Sequence, residues 1–199
     1  MINASQLSRT ELRKQLRQQR RSLNEQQQTK AAQALANTLF RHSAFFRCKH
    51  VALYLANDGE INPAHFAQAA QARGIECYLP ALHPIRKGSL WFAKYNTKHV
   101  TNRFGISEPD PTHAVMVPAR MLDVVCMPLV GFDRMGARLG MGGGFYDRTF
   151  AYKSRHKALG PKLIGLAHDF QEVEQLTSAS WDIPMEAIVT DQRIIQVNE

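Results

Sequence analysis

The chain has 199 residues, with 25 Lys plus Arg against 17 Asp plus Glu and 44% hydrophobic residues. These are ordinary globular values that exclude global disorder, and no apolar run approaches the roughly 20 residues of a membrane helix. Residues 1–50 carry ten basic and two acidic side chains while the remainder is balanced, which indicates one local anion site (nucleic acid, membrane or phosphorylated small molecule) rather than a uniform basic coat.

Ser8-Arg-Thr-Glu11 has capping-box spacing, and Leu12, Leu16 and Leu23 follow at helical intervals, so residues 9–23 are expected to be helical. Asn24 and Gln27 repeat the signal, and an apolar stripe of Ala31, Leu35 and Leu39 extends a second helix to Arg41. These two helices are expected to carry the positive charge. His50–Leu55 reads as a short buried strand followed by a polar Asn57–Glu60 turn. Asn62-Pro63 opens a third helix that stops at Gly74. Cys77–Leu79 and Leu90–Tyr95 are strand-like, with Trp91, Phe92 and Tyr95 read as strand packing. Residues 96–120 read as mostly loop. Leu122–Pro128, Leu163–Ala167 and Ala187–Thr190 complete the expected strands. Helices alternating with short apolar strands predict an α/β class with a mostly parallel central sheet flanked by helices. Residues 1–199 read as one domain, with a basic helical segment 9–41 and a Gly-rich loop 131–144.

Cys48, Cys77 and Cys126 form no CxxC pair and read as reduced, buried thiols. The N-terminus lacks the apolar core of a secretory signal. Its Arg-rich start resembles a transit peptide only superficially, because it is Gln-rich and capped for helix formation. The expected location is cytoplasmic.

The most informative segment places Gly136, Gly140, Gly142, Gly143 and Gly144 between the Leu122–Pro128 strand and a short helix from Phe145. Glycines allow positive φ and close backbone approach to a ligand, and a helix N-terminus favours an anion. Arg138 and Arg148 flank the loop and are candidates to complete a phosphate cradle. No Gly-Lys-Ser/Thr follows, and Phe145 stands where the dinucleotide fingerprint needs Gly or Ala, so neither common nucleotide motif applies. Asp147 could complement the helix dipole or hold Mg²⁺ against phosphates. His168-Asp169 reads as a loop cap before a catalytic pair. Glu60 and Asp182, taken alone, read as turn residues.

At this loop the chain resembles the 5-formyltetrahydrofolate cyclo-ligase family. The segments that carry the likeness are Arg9–Arg13, Tyr54–Glu60, Phe132–Asp147, and Trp181–Pro184 followed by Ala187–Thr190. They occur in the family's order and span nearly the whole chain. The resemblance implies a mostly parallel α/β fold and an ATP- and Mg²⁺-dependent closure of 5-formyltetrahydrofolate to 5,10-methenyltetrahydrofolate. It implies ATP binding by Arg9, Arg13, Arg138, Leu139, Gly140, Met141, Gly142, Gly143, Gly144, Phe145 and Tyr146. Folate binding would involve Tyr54, Leu55, Glu60, Phe104 and Tyr146, and Mg²⁺ would sit on Asp147 and Asp182. Arg138, Tyr146 and Arg148 are the expected catalytic residues.

The chain departs from the family where Arg9 replaces a common Lys. Met141 and Gly143 also stand where some members have Arg and Lys, which shifts phosphoryl-transfer duties to Arg138, Arg148 or the metal. Lys14, Arg17, Arg20 and Arg21 are expected to raise the local potential. A non-catalytic folate- or nucleotide-binding module and a basic nucleic-acid-binding protein are the alternatives. The favoured reading is a small-molecule enzyme without nucleic-acid or membrane partners, a monomer or weak homodimer.

Overall fold

In the computed structural model, residues 7–156, 158–177, 179 and 181–197 are described. Both capping boxes form as read. Glu11 N donates to Ser8 Oγ at 3.3 Å while Ser8 N donates to Glu11 Oε2 at 2.9 Å, opening α1 (Arg9–Arg21). Asn24 and Gln27 exchange the equivalent bonds, each 2.9 Å, to open α2 (Glu25–Phe40). Because Asn24 needs an extended N-cap, α1 stops before Leu23, which is only half-buried. The third buried residue of the α1 stripe is instead Arg20, after Leu12 and Leu16. The positive charge lies on α1 alone, since α2 balances Lys30 with Glu25.

The remaining elements are β1 (His50–Ala52), α3 (Ala64–Ala72), β2 (Glu76–Leu82), β3 (Leu90–Lys94), β4 (His99–Thr101), β5 (Ser107–Pro109), β6 (Met116–Val117), β7 (Val124–Pro128), β8 (Gly131–Phe132), β9 (Arg138–Leu139), α4 (Phe145–Thr149), β10 (Lys162–Ala167), β11 (Ala187–Thr190) and β12 (Ile194–Gln196). The central sheet runs β12-β11-β10-β7-β1-β2-β3-β6. The five strands from β11 to β2 pair in parallel, and the outer pairings are antiparallel.

Two segments hold pairing that their sequence does not announce. Residues 96–120 are mostly loop, as expected, but include the β4–β5 hairpin and edge strand β6. β4 is exposed along its whole length and so leaves no apolar alternation to read. The Gly-rich segment likewise contains the β8–β9 hairpin, whose turn is bound by the buried Asp133 carboxylate through Met135 N (3.0 Å) and Ala137 N (2.9 Å).

Side chains alternate between the two faces of the parallel strands. Val51, Leu53, Val124, Cys126, Ile164 and Leu166 pack under α2 and α3 with Leu35, Leu39 and Phe66. Ala52, Val125, Met127, Leu163 and Ile188 face a second core with Phe92, Phe132 and Phe150. α1 belongs to neither. Its Leu12 and Leu16 pack with Val130, Leu139, Val173 and Leu176, which seats the helix on the β8–β9 hairpin just beyond the end of β7. The chain leaves β1 toward β2 on one side and returns to β7 on the other, so β1 and β7 bound a topological switch point. In such sheets ligands sit outside the carboxyl ends of those strands. Among the described residues no helix is long and apolar enough to cross a membrane.

Gly59, in the turn after β1, has φ +74°, and a Cβ there would lie 2.7 Å from Arg20 O. Gly74 has φ +80° with nothing within 4 Å. Gly59→Ala is therefore expected to cost on the order of 2–4 kcal/mol and Gly74→Ala about 1–2 kcal/mol, the difference being the backbone collision. Urea unfolding of both variants checks this, and equal losses would contradict it.

Candidate functional site

α1 meets the glycine loop. Arg13 Nε donates to Gly140 O at 2.8 Å, and Gly142, at φ +94°, passes close to the Arg13 guanidinium. Neither Nη group of Arg13 has an acceptor among the described residues. Burial pulls the Arg13 pKa down, and the neighbouring charges of Arg9 and Arg17 add to this. A half-buried cation without an acidic partner is relieved by an incoming anion. α4 is only five residues long and its N-cap, Gly144, is left-handed at φ 62°. Its dipole is accordingly small, so the pull expected from a helix N-terminus falls to Arg13 and the loop amides.

The other expected residues separate into distinct jobs. Arg9 Nη1 donates to Thr177 O at 2.5 Å rather than to the loop. Leu139 is fully buried beside Leu12 and Leu16, leaving only its backbone to face a ligand. Arg148 Nε donates to Gly88 O at 3.0 Å and its Nη2 to Gly143 O, tying the loop to the β2–β3 turn. Arg138 is largely buried and donates to Ile183 O and Asp147 Oδ1. Burial lowers its pKa, which Asp147 and Asp182 oppose. Ile183 N also reaches Asp147 Oδ1 at 3.3 Å, and Ala179 N donates to Asp182 Oδ2 at 2.9 Å.

Arg138 bonds Asp147 and feels the charge of Asp182, and each carboxylate keeps one oxygen without a donor among the described residues. No group of three or more potential ligands occurs among those residues. Two free carboxylate oxygens fit Mg²⁺, which takes one or two carboxylates and completes its shell with phosphate and water.

The other side of α1 holds the Asn57–Glu60 turn. Arg17, Arg20 and Arg21 share one helix face by their spacing, and all three bind Asp58. Arg17 Nε and Arg20 Nη2 each lie 2.7 Å from Asp58 Oδ2, Arg20 Nε donates to Asp58 O at 2.7 Å, and Arg21 takes Asp58 Oδ1. These arginines therefore clamp Asp58, a structural role beyond the contribution to the local potential expected of them. Sequence reasoning missed Asp58. The signal was present in three arginines on one helix face and an Asn-Asp-Gly turn that permits the left-handed φ of 56° at Asp58.

Burial would raise the Asp58 carboxyl, but hydrogen bonds from Arg17, Arg20 and Arg21 hold it well below the usual range. A depressed carboxyl contributes stability in full above its unfolded pKa of about 4 and loses it as pH falls toward the folded value. Asp58→Asn should flatten the fall in melting temperature below about pH 4, and an unchanged slope would contradict the clamp.

Glu60 Oε2 accepts from Asn57 N at 3.1 Å, and Oε1 is 3.7 Å from Arg20 Nη2. Burial raises its pKa, opposed by Arg20. Burial and then Glu60 push the Tyr146 phenol up, so it remains a neutral hydroxyl. Tyr54 is buried with its hydroxyl donating to Ile61 O at 2.7 Å, and Leu55 is half-buried beside it in sequence. A cavity of about 450 Å³ opens beside this turn, lined by Arg20, Asp58, Gly59 and Glu60. From the far side, the β4–β5 hairpin tip brings Phe104 edge-on to Phe145, with ring centroids 5.7 Å apart. Met141 is half-exposed above Arg20, its sulfur 3.8 Å from Nη2.

His168 is buried, stacked on Phe170, with Nε2 3.2 Å from Gly59 O, and Asp169 pairs with Arg193 at 2.8 Å. Both therefore support loops. All three cysteines are free and buried. Burial pushes the Cys48 thiol up to about 12 and Cys77 up to about 11, so neither is a ready nucleophile.

Residues 5–191 match the sequence model of the 5-formyltetrahydrofolate cyclo-ligase family. The 5-formyltetrahydrofolate cyclo-ligase of Escherichia coli (strain K12) is 39% identical over 181 residues, covering 90% of this chain and 98% of that protein. The 5-formyltetrahydrofolate cyclo-ligase of Haemophilus influenzae is 38% identical over 179 residues, covering 89% and 94%. The NMR structure of the Aquifex aeolicus 5,10-methenyltetrahydrofolate synthetase superposes with a TM-score of 0.79 at 27% identity, covering 97% of this chain and 94% of that one.

Proposed function

The chain belongs to the 5-formyltetrahydrofolate cyclo-ligase family, and we propose that it converts 5-formyltetrahydrofolate and ATP to 5,10-methenyltetrahydrofolate, ADP and phosphate. The observation that carries this reading is one helix with two contacts: Arg13 on the glycine loop and Arg20 on the Glu60 turn. That arrangement joins an anion site to a carboxylate-bearing crevice.

The N5-formyl group is an amide whose oxygen leaves poorly. Its oxygen attacks the γ-phosphorus as the bond to the ADP oxygen breaks, leaving an iminium phosphate. N10 then bonds to the activated carbon and loses its proton as phosphate departs. Both nitrogens belong to one substrate, so the protein's tasks are positioning and charge neutralisation. No covalent enzyme intermediate is required, in keeping with the buried thiols.

Arg13 and the amides of Gly140–Gly144 take the phosphates. Arg148 holds the loop backbone, and Arg138 orients Asp147. Glu60 accepts pterin N–H donors, with the Tyr146 hydroxyl beside it and Phe104 against Phe145 at the rim. Mg²⁺, when bound by Asp147 and Asp182, supplies charge neutralisation at the phosphates. The test is the absorbance of methenyltetrahydrofolate formed from 5-formyltetrahydrofolate, ATP and Mg²⁺. Turnover is expected; folded protein giving no product would refute the reading, and salt-dependent RNA binding without ATP binding would favour the nucleic-acid alternative.

A further inference from the structure

We infer that Arg20 is a positioning residue that sets Glu60 in the folate half of the site by clamping the Asn57–Glu60 turn onto the end of β7. The inference rests on the cyclo-ligase reading above. Position 20 continues the Leu12–Leu16 stripe, where a leucine would serve packing alone. A guanidinium there is fully buried and incurs a large desolvation cost. Its oxygen acceptors come from two segments: Asp58 O and the Asp58 carboxylate after β1, at 2.7 Å each, and Leu129 O after β7, at 3.3 Å, while its Nη2 also touches the Met141 sulfur of the glycine loop at 3.8 Å. Those two segments border the crevice at the switch point.

The turn is fixed from several sides. Gln28 Nε2 bridges Arg20 O and Gly59 O at 3.2 Å each, and the His168 ring reaches Gly59 O. The left-handed backbone at Asp58 is one that aspartate tolerates in a turn, and the clamp holds the residue in it. Glu60 follows two residues later. Its Oε1 lies beyond hydrogen-bond distance of Arg20, at 3.7 Å, so the guanidinium polarises the carboxylate without consuming it. The groups around that carboxylate are Arg20, Arg17, Asp58 and the phenols of Tyr54 and Tyr146. Arg13 and Arg20 are two helical turns apart, about 10 Å along the axis, so α1 sets the spacing between the two substrate sites.

Steady-state kinetics of Arg20→Met, Arg20→Lys and Asp58→Asn, with thermal melting alongside, test this. Arg20→Met is expected to raise the folate KM at least tenfold while the ATP KM stays within about twofold. It should also move the acid limb of the folate kcat/KM to higher pH, because Glu60 loses its nearest cation. Arg20→Lys should restore the acid limb but only part of the KM, since an ammonium lacks the fork that spans Asp58 and Leu129. If Arg20→Met does not fold, Asp58→Asn carries the test, with a raised folate KM and an unchanged ATP KM. Equal rises in both KM values, or an unmoved folate KM in a folded variant, would overturn the inference while leaving wild-type turnover intact. Absence of turnover in the wild type would instead refute the parent reading and the inference with it.

Discussion

Replacing Arg13 with alanine is expected to lower kcat/KM for ATP by about two orders of magnitude while the folate KM moves less than threefold. The guanidinium lies where helix and glycine loop meet, with its Nε on Gly140 O and both Nη groups available. Two charge-assisted hydrogen bonds to phosphate contribute about 3 kcal/mol together, which converts to that factor. Because the cation lacks an acidic partner and sits beside Arg9 and Arg17, relief of that repulsion offsets the lost bond to Gly140 O, and the melting temperature should change little. Initial rates against each substrate at saturation of the other separate the cases. Equal losses for ATP and folate would place Arg13 outside the phosphate site.

Glu60→Gln is expected to do the opposite, lowering kcat/KM for 5-formyltetrahydrofolate about 30- to 100-fold with little change for ATP. The substitution keeps the volume and removes the charge and one acceptor facing the pterin, a loss of about 2–3 kcal/mol. Burial raises the Glu60 pKa, with Arg20 opposing the shift. The protonated acid cannot accept a pair of N–H donors, so the wild-type folate KM should rise as pH falls through that elevated pKa. The variant should lack this limb. A pH profile unchanged by the substitution would mean that Glu60 does not receive the substrate.

The parts of the fold written in local chemistry are legible in the sequence. Both capping boxes fix their helices, and the parallel strands are short apolar runs whose alternation builds two cores. Leu23 misled because helical spacing takes no account of the extended N-cap that Asn24 requires. Residues 96–120 hid a hairpin because an exposed two-stranded ribbon buries nothing and so has no apolar period. In the proposed site, the glycine loop and Asp147 stand out as residue types in a pattern, whereas Arg13 is singled out only by the family resemblance. The division of labour among the arginines is not legible in the sequence. Arg17, Arg20 and Arg21 resemble Arg13 in sequence, and only the return of the chain after β1 brings Asp58 to three of them. Arg148 likewise reads as a phosphate ligand until Gly88 and Gly143 turn their carbonyls toward it.

α1 and the glycine loop are proposed to form one triphosphate site. The most direct measurement is a crystal structure of the protein with a non-hydrolysable ATP analogue and Mg²⁺. The phosphates are predicted between the Arg13 Nη groups and the amides of Gly140–Gly144, with the metal joining them to Asp147 and Asp182. Phosphates bound instead in the cleft of Arg47, Arg120 and Lys162, at the amino ends of the strands, with the glycine loop free of nucleotide, would contradict it.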